Sequence, residues 1–329
     1  MDLIVIDVLR VIFNKLDLLS QIRLNQCNRV LNNNLNLTII DEHEISNKLT
    51  NDILKSANCR SLKSLNISYN IKVTDISFLK HLQILDVSHH NYNNTLIGQN
   101  CISNLDLIEL NASHNKEIND VSHMKNLKIL DASVHCGIDQ QGIRGLDLIV
   151  LNLTFNKHIT DIIFLKNLRI LKLGDCQVNQ KGIAGLTLIE ELCLWNNRTI
   201  TDISFMKNLK KLNAMGKYCR INQDNLIGHN LYELNVMGNK NVKDVSHMTN
   251  LRILNASLEC GIDQDGIAGL DLISLNVWNN KRIHDVSFMI NLKYFTASGK
   301  KCGVDQKGIA GLKLIRLDFH DNPKFYTNF

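Results

Sequence analysis

The sequence has no apolar run of membrane-spanning length and no dense cluster of lysine and arginine. The first absence excludes a membrane-spanning helix. The second, with a net charge of only +5 over 329 residues, weighs against a nucleic-acid or membrane-surface partner. We therefore expect neither nucleic acid nor membrane among the partners of this chain.

Recognisable catalytic arrangements are also missing. The sequence shows no Ser/His/Asp or Cys/His arrangement, no phosphate-binding loop and no paired carboxylates apart from repeated turn residues. A folded chain can bring distant cysteines and histidines together, so this absence lowers the expectation of an enzyme without disproving it. We expect no enzymatic activity, no catalytic residues and no cofactor.

A secretion signal is not convincing either. The opening residues MDLIVIDVLR contain a short apolar run, but Asp2 and Asp7 interrupt it and no basic residue precedes it. Nine cysteines, an odd number, are present, and several Asn-x-Ser/Thr triplets share one recurring position. That position is predicted to lie within a strand, where glycans would cover the sheet. We therefore expect a reducing, cytoplasmic location.

What the sequence does contain is a repeat. The phrase GIDQDGIAGLDLISLNV at 261–277 has near copies at 137–153 and 303–319. Two alternating half-repeats of 20–25 residues recur over 62–329, about thirteen in all. The first kind begins at Leu62, Leu107, Leu148, Ile189, Leu231, Leu272 and Leu314. The second kind begins at Leu82, Leu127, Leu168, Leu209, Leu251 and Leu292. The pattern L-x-x-L-x-L-x-x-N at this period predicts a leucine-rich repeat solenoid.

Each half-repeat predicts an α/β unit in a curved parallel β-sheet, with short helices or 3₁₀ turns on the convex side. An asparagine after the strand is expected to turn inward and satisfy backbone groups. It recurs as Asn70, Asn115, Asn156, Asn197, Asn239, Asn280 and Asn322. In the second kind of half-repeat a cysteine recurs at or just after that position instead, and we interpret it as a small buried thiol. These cysteines are Cys136, Cys176, Cys219, Cys260 and Cys302.

Aspartates are expected to open the turns on the convex side. Those of the first kind of half-repeat are predicted to accept from nearby backbone N–H groups. They are Asp75, Asp120, Asp161, Asp202, Asp244 and Asp285. Asp139, Asp263 and Asp305 of the second kind are predicted N-caps of a short helix. The repeated phrase therefore serves stacking and has no catalytic chemistry.

These motifs resemble known repeat proteins. NKHITDIIFLKNL is similar to the internalin-type repeat, and the cysteine with GIDQDGIAGL resembles the cysteine-containing repeats of F-box/leucine-rich-repeat proteins. The alternation, with an Asn/Ile/Lys-rich composition, resembles leucine-rich repeat proteins of amoeba-infecting giant viruses. That resemblance implies the cytoplasm of the host cell as the location.

The N-terminal residues 1–34 do not fit the repeat. Their apolar pattern predicts two helices and is similar to an F-box, although the Leu-Pro opening and the tryptophan of that motif are absent. The residues of the resemblance are Leu9, Ile12, Phe13, Leu16 and Leu19. It implies a Skp-type adaptor of a cullin–RING ubiquitin ligase as a partner. The alternative is a small helical cap over the first repeat. Residues 35–61 are predicted to be a degenerate first repeat, with a strand near 37–40 and a helix near 48–58.

Outward-facing positions of the predicted strands form columns along the concave face. One column is mostly Asn or Asp. It is either a solvated polar ladder with no ligand or part of a ligand site, and the sequence does not decide between these two interpretations. The column two residues further on is small at Ser68, Ser88, Ser113, Ser133, Thr154 and Gly174, and then becomes large and apolar. The predicted partner-binding residues are Trp195, Met215, Met237 and Trp278 of that column, with Tyr294 in an adjoining column. The alternative is that these side chains pack on one another.

Histidines leave one further possibility open. His89 and His114 occupy equivalent places in successive half-repeats, with Asp86 and Asp131 nearby, so a metal site is conceivable. Isolated surface histidines are the commoner case, and we predict no metal site. The sequence thus favours a protein-binding scaffold. It is either a ubiquitin-ligase substrate receptor or a pure binding module that sequesters a host protein.

Overall fold

A computed structural model describes residues 39–40, 47–56, 59–89 and 96–325. Its contacts divide the chain into two compact units, Met1–Ile159 and Thr160–Phe329, which are described in turn. The predicted adaptor-binding residues Leu9, Ile12, Phe13, Leu16 and Leu19 lie outside the described residues, as does the whole segment 1–34. The F-box-like or capping role of that segment stays a prediction.

The described residues of the first unit form six short strands that pair in parallel in chain order. They are β1 Ile39–Ile40, β2 Ser64–Asn66, β3 Ile84–Asp86, β4 Glu109–Asn111, β5 Ile129–Asp131 and β6 Val150–Asn152. The described residues between these strands include the helices α1 Asn51–Lys55 and α2 Gln99–Ile102. Strand β1 and helix α1 fall within the two segments predicted for the degenerate first repeat.

The described residues of the second unit form eight strands, β7 to β14, again parallel and in chain order. They are β7 Ile170–Lys172, β8 Glu191–Cys193, β9 Lys211–Asn213, β10 Glu233–Asn235, β11 Ile253–Asn255, β12 Ser274–Asn276, β13 Tyr294–Thr296 and β14 Arg316–Asp318. Helix α3 spans Gln223–Leu226. The 3₁₀ turns are Lys181–Ile183, Asp265–Ile267, Lys307–Ile309 and Pro323–Phe325.

The strand register follows the leucine pattern of the sequence. In both units the middle residue of one strand pairs with that of the next, as Leu85 does with Leu110 and Leu234 with Leu254. These leucines are buried, while the residues on either side point away from the core. The middle residue is leucine in β2 to β12 and in β14, and Phe295 in β13. Each half-repeat from Leu62 onward contains one strand, so every coil of the described chain is one half-repeat. The predicted leucine-rich repeat solenoid is confirmed.

The recurrent asparagines turn inward, as predicted. Asn280, with 1% of its surface exposed, donates from Nδ2 to the carbonyls of Ala256 (2.8 Å) and Ile262 (3.2 Å). Its Oδ1 accepts from the backbone N–H of Arg282 at 2.8 Å. Asn115, Asn156, Asn197, Asn239 and Asn322 make equivalent bonds to the preceding coil. Each of these side chains therefore satisfies backbone groups that the bend would leave unpaired.

Aspartates close the convex turns. Asp202 Oδ1 accepts from the N–H of Ser204 at 2.8 Å, and Asp120, Asp244 and Asp285 accept likewise two residues on. Asp139, Asp263 and Asp305 accept from the glycine N–H three residues on. After Asp263 and Asp305 the chain forms 3₁₀ turns rather than a helix, because each segment is a single turn of three residues.

The predicted structural cysteines are buried. Cys136, Cys219, Cys260 and Cys302 have at most 2% of their surface exposed, and Cys176 has 8%. Burial raises the pKa of Cys136 to about 12 and the pKa values of Cys219 and Cys260 to about 11. None of the eight cysteines in the described part of the chain forms a disulfide.

Thiol labelling will separate these cysteines by reactivity. Because only the thiolate is nucleophilic, the raised pKa and burial of Cys136, Cys219 and Cys260 predict very slow alkylation of the native protein at pH 8. Cys101, which is partly exposed, is expected to react at least about tenfold faster. Peptide mapping by mass spectrometry measures each site, and unfolding in urea should make the rates equal. Fast labelling of native Cys260 would contradict the prediction.

Within the described residues, no helix has the length and apolar character needed to cross a membrane.

Candidate functional site

Three outward columns run along the strands of the second unit. The first and third residues of each strand form columns 1 and 2, and the residue two positions beyond the strand forms column 3. The backbone ladder continues through column 3: the carbonyl of Trp195 accepts from the N–H of Asp175 at 3.0 Å, and that of Met215 from Asn196 at 3.0 Å. Met237 accepts in the same way from Gly216 at 2.8 Å. Column 3 is thus in register, as the sequence predicts.

Column 3 brings three predicted partner-binding residues together. Trp195, Met215 and Met237 stand on successive coils, which stack about 4.8 Å apart, and all three are half-buried. The Sδ atom of Met215 also lies 3.5 Å from Nδ2 of Asn235. These side chains form a short apolar row on the face of the sheet.

The rest of the predicted patch is arranged differently. Ser257 follows Met237 in column 3 and is fully buried, so the apolar row is interrupted before Trp278, whose side chain is 40% exposed. Ser257 Oγ donates to Asn255 Oδ1 at 2.6 Å, which folds its side chain back onto the sheet. The predicted continuous patch therefore consists of a three-residue row and a separate tryptophan.

The sequence predicts Tyr294 in a column next to that of Trp278, whereas the structure places it two columns away, in column 1. It opens strand β13 and pairs with Ser274 and Arg316 in column 1. Four residues separate it from the column-3 position of its own strand, a distance of about 13 Å at the usual rise per residue. Its ring is 47% exposed and stands apart from the apolar row.

The Asn/Asp ladder of column 2 is used by the chain itself. Each oxygen accepts from the backbone N–H two residues on, as Asn213 does from Met215 (3.1 Å) and Asn276 from Trp278 (2.9 Å). In the first unit the Nδ2 groups of Asn111 and Asn152 also donate to the preceding aspartates, at 3.0 and 2.8 Å. These side chains hold the turn that presents column 3.

A shallow groove of about 410 Å³ lies beside the apolar row on strands β7 to β10. Ile170 and Cys193 line it, together with an ion pair of 2.6 Å between Lys211 and Glu191. The hydrogen bond to Glu191 raises the pKa of Lys211. The sheet face beside the apolar row therefore combines apolar side chains with a paired lysine and glutamate.

The sequence analysis did not predict a second groove, of about 650 Å³, which lies at the carboxyl edge of strands β9 to β14. Trp278 borders it, and the loops that follow column 3 line the rest with Leu258, Glu259, Lys240 and Lys301. A signal was present in the sequence: glycine and lysine recur directly after column 3, in GKYC at 216–219, GNKN at 238–241 and GKKC at 299–302.

A metal centre is not assembled in the described part of the chain. No group of three or more His, Cys, Asp or Glu side chains there could hold a metal ion. His89 is buried, with 5% of its surface exposed, rather than at the surface.

Comparison with known proteins found similarity to solved structures only. No protein-family model matches the sequence, and no curated protein is significantly similar to it. The chain is similar to an internalin, inlF of Listeria monocytogenes, with 21% identity, a TM-score of 0.49 and coverage of 82% of this chain and 77% of the internalin.

Two further solved structures are similar at lower scores. The TLR13–ssRNA13 complex matches with 19% identity and a TM-score of 0.42, covering 82% of this chain and 46% of that one. The mouse RP105/MD-1 complex matches with 16% identity and a TM-score of 0.41, covering 79% and 51%. At these identities the likeness says nothing about function. The coils, the inward asparagines and the register are the features that define the solenoid.

Proposed function

We propose that this chain is a protein-binding scaffold and does no bond chemistry itself. One observation carries the proposal: Trp195, Met215 and Met237 form an apolar row on the sheet face, where the corresponding residues of the first unit are serines and a threonine. Large apolar and aromatic side chains left facing outward are typical of protein interfaces, in which tryptophan is a frequent anchor. Trp278 provides a second anchor beyond Ser257.

A more specific role is proposed for the full chain. Through residues 1–34 it would bind a Skp-type adaptor, and the sheet face would hold a substrate for a cullin–RING ubiquitin ligase in the host cytoplasm. The contribution of the chain would be proximity, since it holds the substrate near a ubiquitin-loaded enzyme. The support is the F-box resemblance of Leu9, Ile12, Phe13, Leu16 and Leu19. In the alternative role these residues only cap the solenoid, and the chain sequesters a host protein.

One capture experiment tests both levels. Full-length protein, W195A/W278A and F13D are immobilised in equal amounts, and proteins retained from an amoeba lysate are quantified by mass spectrometry. We expect W195A/W278A to lose at least about tenfold of a specific retained protein, because hot-spot anchors each contribute about 2 kcal/mol or more. F13D is expected to retain that protein and to lose the adaptor.

K313E changes an exposed lysine before strand β14 and should retain everything. Circular dichroism and urea unfolding confirm that each variant folds. Unchanged retention by W195A/W278A would overturn the scaffold proposal at this face. An adaptor absent from the full-length capture would leave the sequestering role.

A further inference from the structure

The groove at the carboxyl edge of the second unit has an apolar floor. Leu258 and Trp278 line it, and the glycines Gly238 and Gly299 lie on its borders. Its volume of about 650 Å³ falls within the range of pockets that hold a small ligand or a few peptide residues. The groove lies beside Trp278, the more exposed of the two predicted partner-binding tryptophans.

The groove is open because of a local backbone feature. The residue after column 3 adopts a left-handed conformation in these coils, with φ of 49° at Asn196, 61° at Leu258 and 54° at Asn279. Gly238 and Gly299 occupy the same position with φ of 69° and 91°. A Cβ atom added at Gly238 would meet Leu258 Cδ1 at 3.9 Å, so a side chain would fit there and fill the groove. The absence of a side chain at Gly238 therefore leaves Leu258, on the floor of the groove, accessible to a ligand.

Charge around the groove is positive. Four lysines and two carboxylates line it, which leaves an excess of two positive charges: Lys217, Lys240, Lys300 and Lys301 against Glu259 and Asp321. Glu259 lies between Lys240 (2.9 Å) and Lys301 (3.7 Å), and the hydrogen bond from Lys240 lowers the pKa of Glu259. Lys217 Nζ lies 4.7 Å from the centre of the Tyr218 ring. Among the described residues, Glu259 pairs with Lys240 and Lys301, and neither Lys217 nor Lys300 forms a salt bridge with it.

The same loops continue the positive edge beyond the groove. A neighbouring depression of about 390 Å³ shares Lys240, Glu259 and Lys301 and adds Lys281 and Arg282. A ligand longer than the groove would therefore meet further cations along one direction.

We propose that this edge binds an extended acidic peptide segment, with one aliphatic or aromatic side chain of the peptide on Trp278 and Leu258 and its carboxylates at Lys217 and Lys300. Electrostatic complementarity of this kind sets specificity and association rate, while the apolar anchor supplies affinity. The inference rests on the proposed protein-binding function and names the chemistry of the partner.

A polynucleotide fits the same groove less well. It has one negative charge per nucleotide, and its regular spacing would place phosphates against Glu259 and Asp321 as well as the lysines. A peptide needs only two carboxylates to balance the two excess positive charges of the groove, and it can carry an apolar side chain between those two carboxylates. The mixed charge of the groove therefore favours the peptide.

Fluorescence anisotropy with full-length protein tests the proposal. The probe is a labelled peptide, Asp-Glu-Leu-Phe-Glu-Asp, and the comparison probes are Asn-Gln-Leu-Phe-Gln-Asn and a labelled single-stranded oligonucleotide. We expect the acidic peptide to bind, the amide peptide to bind at least about tenfold more weakly, and affinity to fall with rising salt. K217E/K300E and W278A should each weaken binding about tenfold or more.

Matched variants separate shape from charge and from folding. G238N keeps the left-handed backbone that Asn196 and Asn279 adopt but fills the groove, and it should weaken binding without changing charge. K313E lies at the opposite end of the strands and should bind as the wild type does. No binding of the acidic peptide, or tighter binding of the oligonucleotide, would overturn the proposal. Peptide binding and lysate capture are scored separately, and loss of peptide binding with retained lysate capture would overturn the acidic-peptide inference alone.

Discussion

Replacement of Asn280 by alanine is expected to destabilise the second unit by about 3–5 kcal/mol. The side chain is buried, donates to the carbonyls of Ala256 and Ile262, and accepts from the N–H of Arg282. Each buried backbone group left without a partner costs about 1–3 kcal/mol. Alanine leaves the Ile262 carbonyl and the Arg282 N–H without these bonds, and leaves the Ala256 carbonyl with only the weak donor Cys260 Sγ. A loss of this size is a large fraction of the stability of a typical domain.

The matched control is Asn276→Ala, four residues earlier in the same coil. Asn276 points outward and accepts one bond, from the N–H of Trp278, in a position that water can reach. We expect a loss below about 1 kcal/mol for this variant. Urea unfolding followed by circular dichroism measures both, and similar midpoints for N276A and N280A would show that the inward asparagine has no special role.

Replacement of Gly266 by alanine is expected to cost about 2–4 kcal/mol, through overpacking against the preceding coil. A Cβ at Gly266 would lie 2.2 Å from the carbonyl oxygen of Lys243. The same coils are joined there by a bond of 3.0 Å from the N–H of Val245 to the carbonyl of Gly266. The backbone has no room to retreat without breaking this bond. Gly142 and Gly308 make the same close approach, at 2.2 Å.

Gly269→Ala provides the matched comparison within the same phrase. Its φ of +72° strains any residue with a Cβ, but no heavy atom of the described residues lies within 4 Å of the added carbon. The expected cost is about 1 kcal/mol, from backbone strain alone. Thermal unfolding of both variants decides the point. If the Gly269 variant were less stable than the Gly266 variant, backbone strain rather than contact between coils would be the main reason that these positions require glycine.

The repeated phrase is explained by these two glycines. In GIDQDGIAGL, the aspartate caps the turn, Gly266 allows two coils to approach, and Gly269 allows the chain to reverse. The sequence predicted the roles of Asp263 in the phrase and of the inward Asn280 after the next strand, but not the roles of the glycines. A glycine required by contact with another coil cannot be distinguished in the sequence from one required by its own φ, because the contacting carbonyl lies more than twenty residues away.

The sequence by itself determined the coil. The period located each strand, and alternation of apolar residues about the middle leucine decided its inward face, because both follow from local backbone geometry. The inward asparagines and buried cysteines were also predictable, since each recurs at a fixed place in its half-repeat. Only the tertiary structure decided which outward residues meet. The lysine-lined groove is assembled from loops of several coils, and the buried Ser257 separates the apolar row from Trp278. These relations depend on the stacking of successive coils, whose facing residues lie about twenty positions apart, and no local pattern specifies them.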